Sequence, residues 1–131
     1  MRRVTRRRAE AVYQPLRAIL AEIERTGCVD SVGGRPCFKC SDGWYETAPA
    51  IGGVVDFLDL ATDRHGWSIN TRPLEVIGLR LAANAPITPE DIAKARQTIK
   101  QAIDLSITLT VDEASDILRT VQIRHQLEVT E

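Results

Sequence analysis

The pair Gly33-Gly34 is the feature that most restricts how this chain folds. The runs on either side of it, residues 28–32 and 35–40, lack the helical spacing seen elsewhere. Two adjacent glycines readily supply the positive φ angles of a two-residue hairpin turn. A second turn at 41–43 would return residues 44–47 as a third short strand. A three-stranded sheet this small must lie on helices to be stable.

Apolar residues at helical spacing predict a first helix. They fall on one face: Val12, Leu16, Ile19, Leu20 and Ile23. Pro15 removes a backbone donor, so either the helix begins near Gln14 or residues 5–26 form one helix kinked at the proline. We favour the kinked helix, with Gly27 ending it.

The second and third helices follow the hairpin. Residues 48–63 are apolar over much of their surface, which predicts a helix at the centre of the core, ended by Gly66. Asn70 or Thr71 caps the third helix, which has Pro73 in its first turn and Asn84 at its end.

Two more helices complete the pattern. Thr88 followed by a proline and two acidic residues is a strong helix start, and it begins a fourth helix over 88–104. Thr110 with Glu113 three residues later forms a capping-box pattern for the last helix. Between them, residues 105–111 alternate and predict either a short strand or an extended linker.

These patterns predict one mostly α (α+β) domain over residues 1–131. It has about five helices, with the small hairpin module (residues 28–46) inserted between helix 1 and helix 2. A chain of this length buries enough surface to fold without disulfides or metal. Six aromatic residues leave the core mostly aliphatic.

Charge is distributed unevenly along the chain. Residues 1–40 carry a net charge of +5 and residues 41–131 a net charge of −6. Much of the positive excess lies in a basic N-terminal arm, residues 1–8, which contains Arg2, Arg3, Arg6, Arg7 and Arg8. Such an arm is either a flexible, solvated end or a contact for phosphates or an acidic protein surface.

The sequence favours a cytoplasmic protein. No stretch approaches the length of an apolar membrane span. Polar residues such as Glu10 and Arg17 occupy the place of a signal peptide's apolar region. An odd number of cysteines argues against a secreted disulfide framework.

The cysteines permit a structural zinc site, which we do not favour. Cys28, Cys37 and Cys40 would need a histidine, His65 or His125, to complete a tetrahedral shell. However, the spacing is irregular, and positions 37 and 40 point to opposite faces of a strand. The default is buried thiols and no cofactor.

No catalytic residues can be named, so we expect no enzyme activity. The known nucleophile, phosphate-binding and metalloprotease motifs are missing. Asp56, Asp59 and Asp63 share one helix face, which is typical of a solvated helix edge as well as of a carboxylate site. His65 lies at a helix C-terminus, where its charge favours the helix dipole.

A DNA-binding regulator is the first alternative function. The third and fourth helices could form a helix-turn-helix, with Lys94, Gln97 and Gln101 on the exposed face of the fourth. The N-terminal arginines would contact phosphates. Against this, the acidic balance of residues 41–131 repels DNA.

Protein binding is the function that we favour. Trp44, Tyr45 and Trp67 flank the hairpin and the second helix, and aromatic residues with a polar end often anchor interfaces. A domain rich in short apolar helices also commonly self-associates, so a homo-oligomer is a further expectation.

Residues 35–50, which read RPCFKCSDGWYETAPA, and their continuation through 51–59 resemble a segment of small uncharacterised proteins of Mu-like transposable phages and related prophages. The resemblance contains no catalytic motif and transfers no functional residue. It implies a phage early-region protein in a bacterial host cell. Such proteins bind and redirect a host machine, as inhibitors of host defence do, or regulate phage transcription.

Overall fold

The computed structural model of the chain describes residues 2–40 and 43–121, without the side chains of Val32 and Cys40, and has five α-helices and a small antiparallel sheet. The sheet lies between the first and second helices, so the predicted fold class is confirmed. The elements in chain order are α1 (Arg6–Thr26), β1 (Asp30–Val32), β2 (Arg35–Cys40), β3 (Gly43–Glu46), α2 (Thr47–His65), α3 (Arg72–Ala82), α4 (Pro89–Ser106) and α5 (Val111–Val121).

Helix α1 is continuous from Arg6 to Thr26 and contains Pro15, so the alternative start near Gln14 is wrong. It begins at Thr5, whose side chain accepts a hydrogen bond from the backbone N–H of Arg8 at 3.2 Å. It ends where Gly27 takes a φ of 83° and donates its N–H to the carbonyl of Ile23. A glycine adopts that left-handed conformation without steric cost.

The hairpin turns at Gly33 and Gly34, whose φ angles of 60° and 79° are those of a two-residue turn with both central residues left-handed. Strand β2 is central, with β1 and β3 on its two sides. Phe38 pairs with Tyr45 across β2 and β3. Their rings lie 5.9 Å apart, and both join the hydrophobic core. The predicted turn at 41–42 lies outside the described residues.

Helix α2 is at the centre of the molecule, as its composition predicts. Nine of its residues are buried, and it contacts α1, α3, α5, β2 and β3. Its first residue, Thr47, is buried and donates its hydroxyl to the carbonyl of Pro36 at 3.2 Å. Gly66, with a φ of 68°, ends it as predicted.

The caps of the remaining helices largely follow the sequence. Thr88 and Asp91 form a reciprocal capping box at the start of α4. Thr110 and Glu113 exchange the same two bonds at the start of α5. For α3, the cap position is Thr71, but the side-chain bond comes from Asn70, whose Oδ1 accepts from the N–H of Arg72 at 3.0 Å.

Residues 105–111 are neither a strand nor a linker. Helix α4 continues to Ser106, a turn follows, and Thr110 makes an isolated antiparallel bridge with Arg3. Val4 donates its N–H to Leu109, and Val111 donates to Arg2, each at 2.9 Å. This pairing corrects the prediction of a free arm over residues 1–8, because residues 2–4 are held against the start of α5.

The core contains one buried polar pair between distant helices. The hydroxyls of Tyr13 in α1 and Ser106 in α4 lie 2.6 Å apart, and both residues are buried. Burial raises the pKa of Tyr13 well above its usual range, although the hydrogen bond with Ser106 acts in the opposite direction.

We predict that Tyr13→Phe lowers the free energy of unfolding by about 1–2 kcal/mol at neutral pH, because Ser106 is left without its partner. The folded protein holds the Tyr13 proton more tightly than the unfolded chain does. The stabilisation that Tyr13 gives the folded protein is therefore fully present below the ordinary tyrosine pKa of 10.0, and it is lost as the pH rises above that value. Urea unfolding of Tyr13→Phe, Ser106→Ala and the double variant across this pH range measures the effect. Additive losses would contradict a direct bond between the two hydroxyls.

Candidate functional site

The three aromatic residues predicted as partner anchors occupy different environments. Trp44 is 38% exposed, whereas Tyr45 and Trp67 are 4% and 8% exposed and belong to the core. Successive residues of a strand point to opposite faces, so Trp44 and Tyr45 cannot both face solvent. The prediction of Tyr45 and Trp67 as surface anchors is therefore corrected, and Trp44 remains.

Trp44 lies on the outer face of the sheet, which we define as the side of β2 and β3 that carries Arg35, Cys37, Lys39, Trp44 and Glu46. Lys39, directly opposite in the strand register, places its ammonium nitrogen 5.9 Å from the centre of the Trp44 ring. Next to them Arg35 Nη1 and Glu46 Oε1 form an ion pair at 2.8 Å. Cys37, between Arg35 and Lys39 in β2, is buried. The outer face thus combines one exposed aromatic ring with charges of both signs.

Trp67 belongs to the loop after α2. Its ring lies 6.5 Å from that of His65, and His65 Nδ1 is 3.4 Å from Glu113 Oε2 at the start of α5. These contacts join α2 to α5 and give Trp67 a structural role.

The N-terminal arginines are exposed, although the backbone beneath them is ordered by pairing. Arg6 forms an ion pair with Asp104 at 2.9 Å, and Arg3 donates a hydrogen bond to the carbonyl of Thr108. Arg7 and Arg8 have no ion pair within the described part of the chain. The first turn of α1 contains no acidic residue, so these cations lie at the positive end of the helix dipole, where they are unfavourable unless an anion is near.

The exposed face of α4 is largely engaged within the molecule. Lys94 pairs with Glu90 at 3.0 Å, and Gln101 donates to the carbonyl of Ser68. Arg96 makes two contacts to Glu24 of α1, at 2.7 and 3.0 Å. Of the side chains predicted to read bases, Gln97 alone makes no hydrogen bond to a described residue.

Of the two histidines considered as zinc ligands, His65 lies far from the cysteines. Cys28 is exposed and Cys37 is buried, while the Cys40 side chain and His125 lie outside the described residues. Thr47 touches β2, and eighteen helical steps of about 1.5 Å separate it from His65. His65 is thus roughly 27 Å from the hairpin end of α2 and cannot complete this set. Among the described residues, no three His, Cys, Asp or Glu side chains are grouped to hold a metal ion.

Two surface clefts accompany these features. One, of about 710 Å³, is acidic and is lined by Asp56, Asp59 and Asp63. Burial raises the pKa of Asp59, and the charges of Glu75, Asp56 and Asp63 raise it further. The acidic helix face predicted from the sequence therefore exists, and its carboxylates repel one another.

The second cleft, of about 640 Å³, was not predicted from the sequence. We call it the β1 cleft: one wall is formed by residues 27–31 with Gly34 and Pro36, the other by residues 80–82 and 84–87. The sequence predicted that the third helix ends at Asn84, which follows the observed end at Ala82 with a φ of 52°, but the position of this end beside the hairpin depends on tertiary packing.

No helix of the described part of the chain is long and apolar enough to cross a membrane. No family model, no curated protein and no solved structure matches the chain. The functional argument therefore rests on the geometry of these surfaces.

Proposed function

We propose that the chain is a non-enzymatic protein-binding module whose contact surface is the outer face of the sheet. One observation carries the proposal. Trp44 stands exposed on a sheet whose other described aromatic residues, Phe38 and Tyr45, are buried.

The composition of this face suits a protein partner. Tryptophan and arginine are enriched among the residues that contribute most to binding energy. Arg35 lies on the same face of β2 as Lys39, the partner of Trp44, four residues away along the strand. The tryptophan offers a large apolar area with one N–H donor. The surrounding charges supply a polar rim, which suits a transient interface more than a permanent one.

A binding role is favoured over catalysis because three of the described side chains that could act in catalysis, Tyr13, Ser106 and His65, are engaged in structural contacts. Tyr13 and Ser106 bond to each other inside the core. His65 lies against Glu113 and Trp67, where it joins α2 to α5. A nucleophile needs an adjacent base and a group that orients the base. Neither the Tyr13–Ser106 pair nor the contacts of His65 form such an arrangement at a solvent-accessible position.

The resemblance to proteins of Mu-like phages covers this same surface, because residues 35–50 include every residue of the outer face. On this proposal the partner is a protein of the bacterial host, bound in the cytoplasm, and the module regulates or inhibits it. A component of a host defence system is one such partner.

We predict that Trp44→Ala weakens partner binding by at least about 2 kcal/mol, or roughly 30-fold, while the melting temperature changes little. Leu79→Ala is the matched control, because Leu79 is the other large hydrophobic residue exposed among those described, at 57%, and lies on α3. Quantitative capture from bacterial lysate with the wild type and both variants identifies the partner, and titration with the purified partner measures the loss.

This proposal would be wrong if Trp44→Ala and the wild type retained every captured protein equally. If Leu79→Ala lost the partner and Trp44→Ala did not, the interface would lie on α3. Tyr45 and Trp67 are unsuitable for this test, since their removal destabilises the core.

DNA binding is the second candidate, supported by the exposed arginines at the start of α1. Arg7 and Arg8 lie in the first helical turn without an acidic neighbour there, and a helix N-terminus attracts phosphate. Deleting residues 2–8 would also break the pairing with residues 109–111, so substitution is the better test.

If DNA is bound, Arg7→Gln and Arg8→Gln should each reduce the slope of log affinity against log salt by about 1. The control is Arg72→Gln, which changes an exposed arginine on α3 that is paired with Glu75. Fluorescence anisotropy with labelled duplex DNA over a salt series gives the slopes. An unchanged slope in both arginine variants would remove this candidate.

A further inference from the structure

Among the described residues, no strand pairs with β1 on the side away from β2. In a hairpin with a two-residue turn, the flanking residues Val32 and Arg35 form a hydrogen-bonded pair. The next pair, Ser31 with Pro36, is therefore non-hydrogen-bonded, which suits a proline that has no N–H. It follows that the N–H and C=O of Ser31 point outward from the sheet.

Ser31 lines the β1 cleft, so this free edge borders a preformed space. The first wall also contributes the apolar side chains of Val29 and Pro36. The facing wall contributes Leu81, Ala85 and Ile87. Residues 85–87 on that wall belong to no helix or strand. The cleft thus offers apolar walls with backbone polar groups at one edge, as extended-peptide grooves do.

Arg80 supplies a charge in this cleft. Its Nε lies 3.2 Å from Asp91 Oδ2, yet it is buried and makes no hydrogen bond to any described residue. Asp91 Oδ2 already accepts the N–H of Thr88 at 3.0 Å in the capping box. The Arg80 side chain is nevertheless 41% exposed, and its two terminal nitrogens make no hydrogen bond to a described residue, so they can donate to a second carboxylate in the cleft.

Asp30 is the acidic residue on the cleft's first wall, and its charge acts on Arg25 at the end of α1. Arg80 is the one Lys or Arg residue among the described residues that line the cleft, and its terminal nitrogens remain open to a ligand beside its ion pair with Asp91.

We propose that the β1 cleft binds an extended segment of a partner protein, which adds to the sheet as a fourth strand beside β1 and places an acidic side chain at Arg80. The strand edge selects an extended backbone over a helix, and the arginine selects a carboxylate. The three residues of β1 span roughly 10 Å, so the bound segment is short. This site is independent of the outer face around Trp44, and either can fail alone.

The test begins with a display library of random heptapeptides selected on the immobilised full-length protein. Enriched peptides should carry Asp or Glu at one position within residues of high strand propensity. The most enriched peptide, once synthesised, should bind the Arg80→Gln protein at least about tenfold more weakly than it binds the wild type. It should bind Trp44→Ala and the wild type equally, which separates this inference from the function proposed above.

The edge contact is tested with Ser31→Pro, which removes the outward N–H at a position where an edge strand tolerates proline. The control Ser31→Thr keeps the N–H and should bind normally. Circular dichroism verifies that each variant is folded. In the wild type, the bound peptide should slow hydrogen exchange of the Ser31 amide.

Three results would overturn the proposal. The first is the same enrichment on wild-type and Arg80→Gln protein. The second is normal peptide binding by folded Ser31→Pro. The third is a wild-type dimer in sedimentation that Ser31→Pro dissociates, since a second copy of this chain would then be the occupant of the edge.

Discussion

Burial of the broad apolar face of α2 is the constraint on which the rest of the structure depends. This helix touches three other helices and two strands, and its buried face includes the fully covered Leu58 and Ala61. Burying a side chain of leucine size contributes roughly 1.5–3 kcal/mol, so the packing of α1, α3, α5 and the sheet on α2 is a large source of stability. The sheet is one of those covers, held by Phe38 and Tyr45 on its inner face.

The candidate surface follows from this arrangement. Because Phe38 and Tyr45 must face the core, the two-residue period of a strand forces Lys39 and Trp44 to the opposite side. The turn glycines and Pro36 set the register that aligns these pairs, and the same register leaves Ser31 with an open edge. One local pattern therefore produces both the outer face and the β1 cleft.

Much of the fold was predictable because its signals are local. The caps at Thr88 and Thr110 and the stops at Gly27 and Gly66 act within one helical turn. The candidate sites were less predictable. Trp67 is covered by residues brought in by packing, and Arg3 pairs with Thr110 far along the chain. Neither contact has a local pattern. For Tyr45, the alternation of β3 was visible in the sequence, but which of two adjacent aromatics faces inward depends on the helices beneath.

The central claim is that this alternation buries Tyr45 and leaves Trp44 as the exposed tryptophan. Iodide quenching of tryptophan fluorescence in the single-tryptophan variants Trp67→Phe and Trp44→Phe tests it most directly. We expect strong quenching of Trp44 in the first variant, helped by the positive charge of Lys39, and weak quenching of Trp67 in the second. Equal quenching in the two folded variants, or stronger quenching of Trp67, would contradict the placement of the sheet and with it the proposed binding surface.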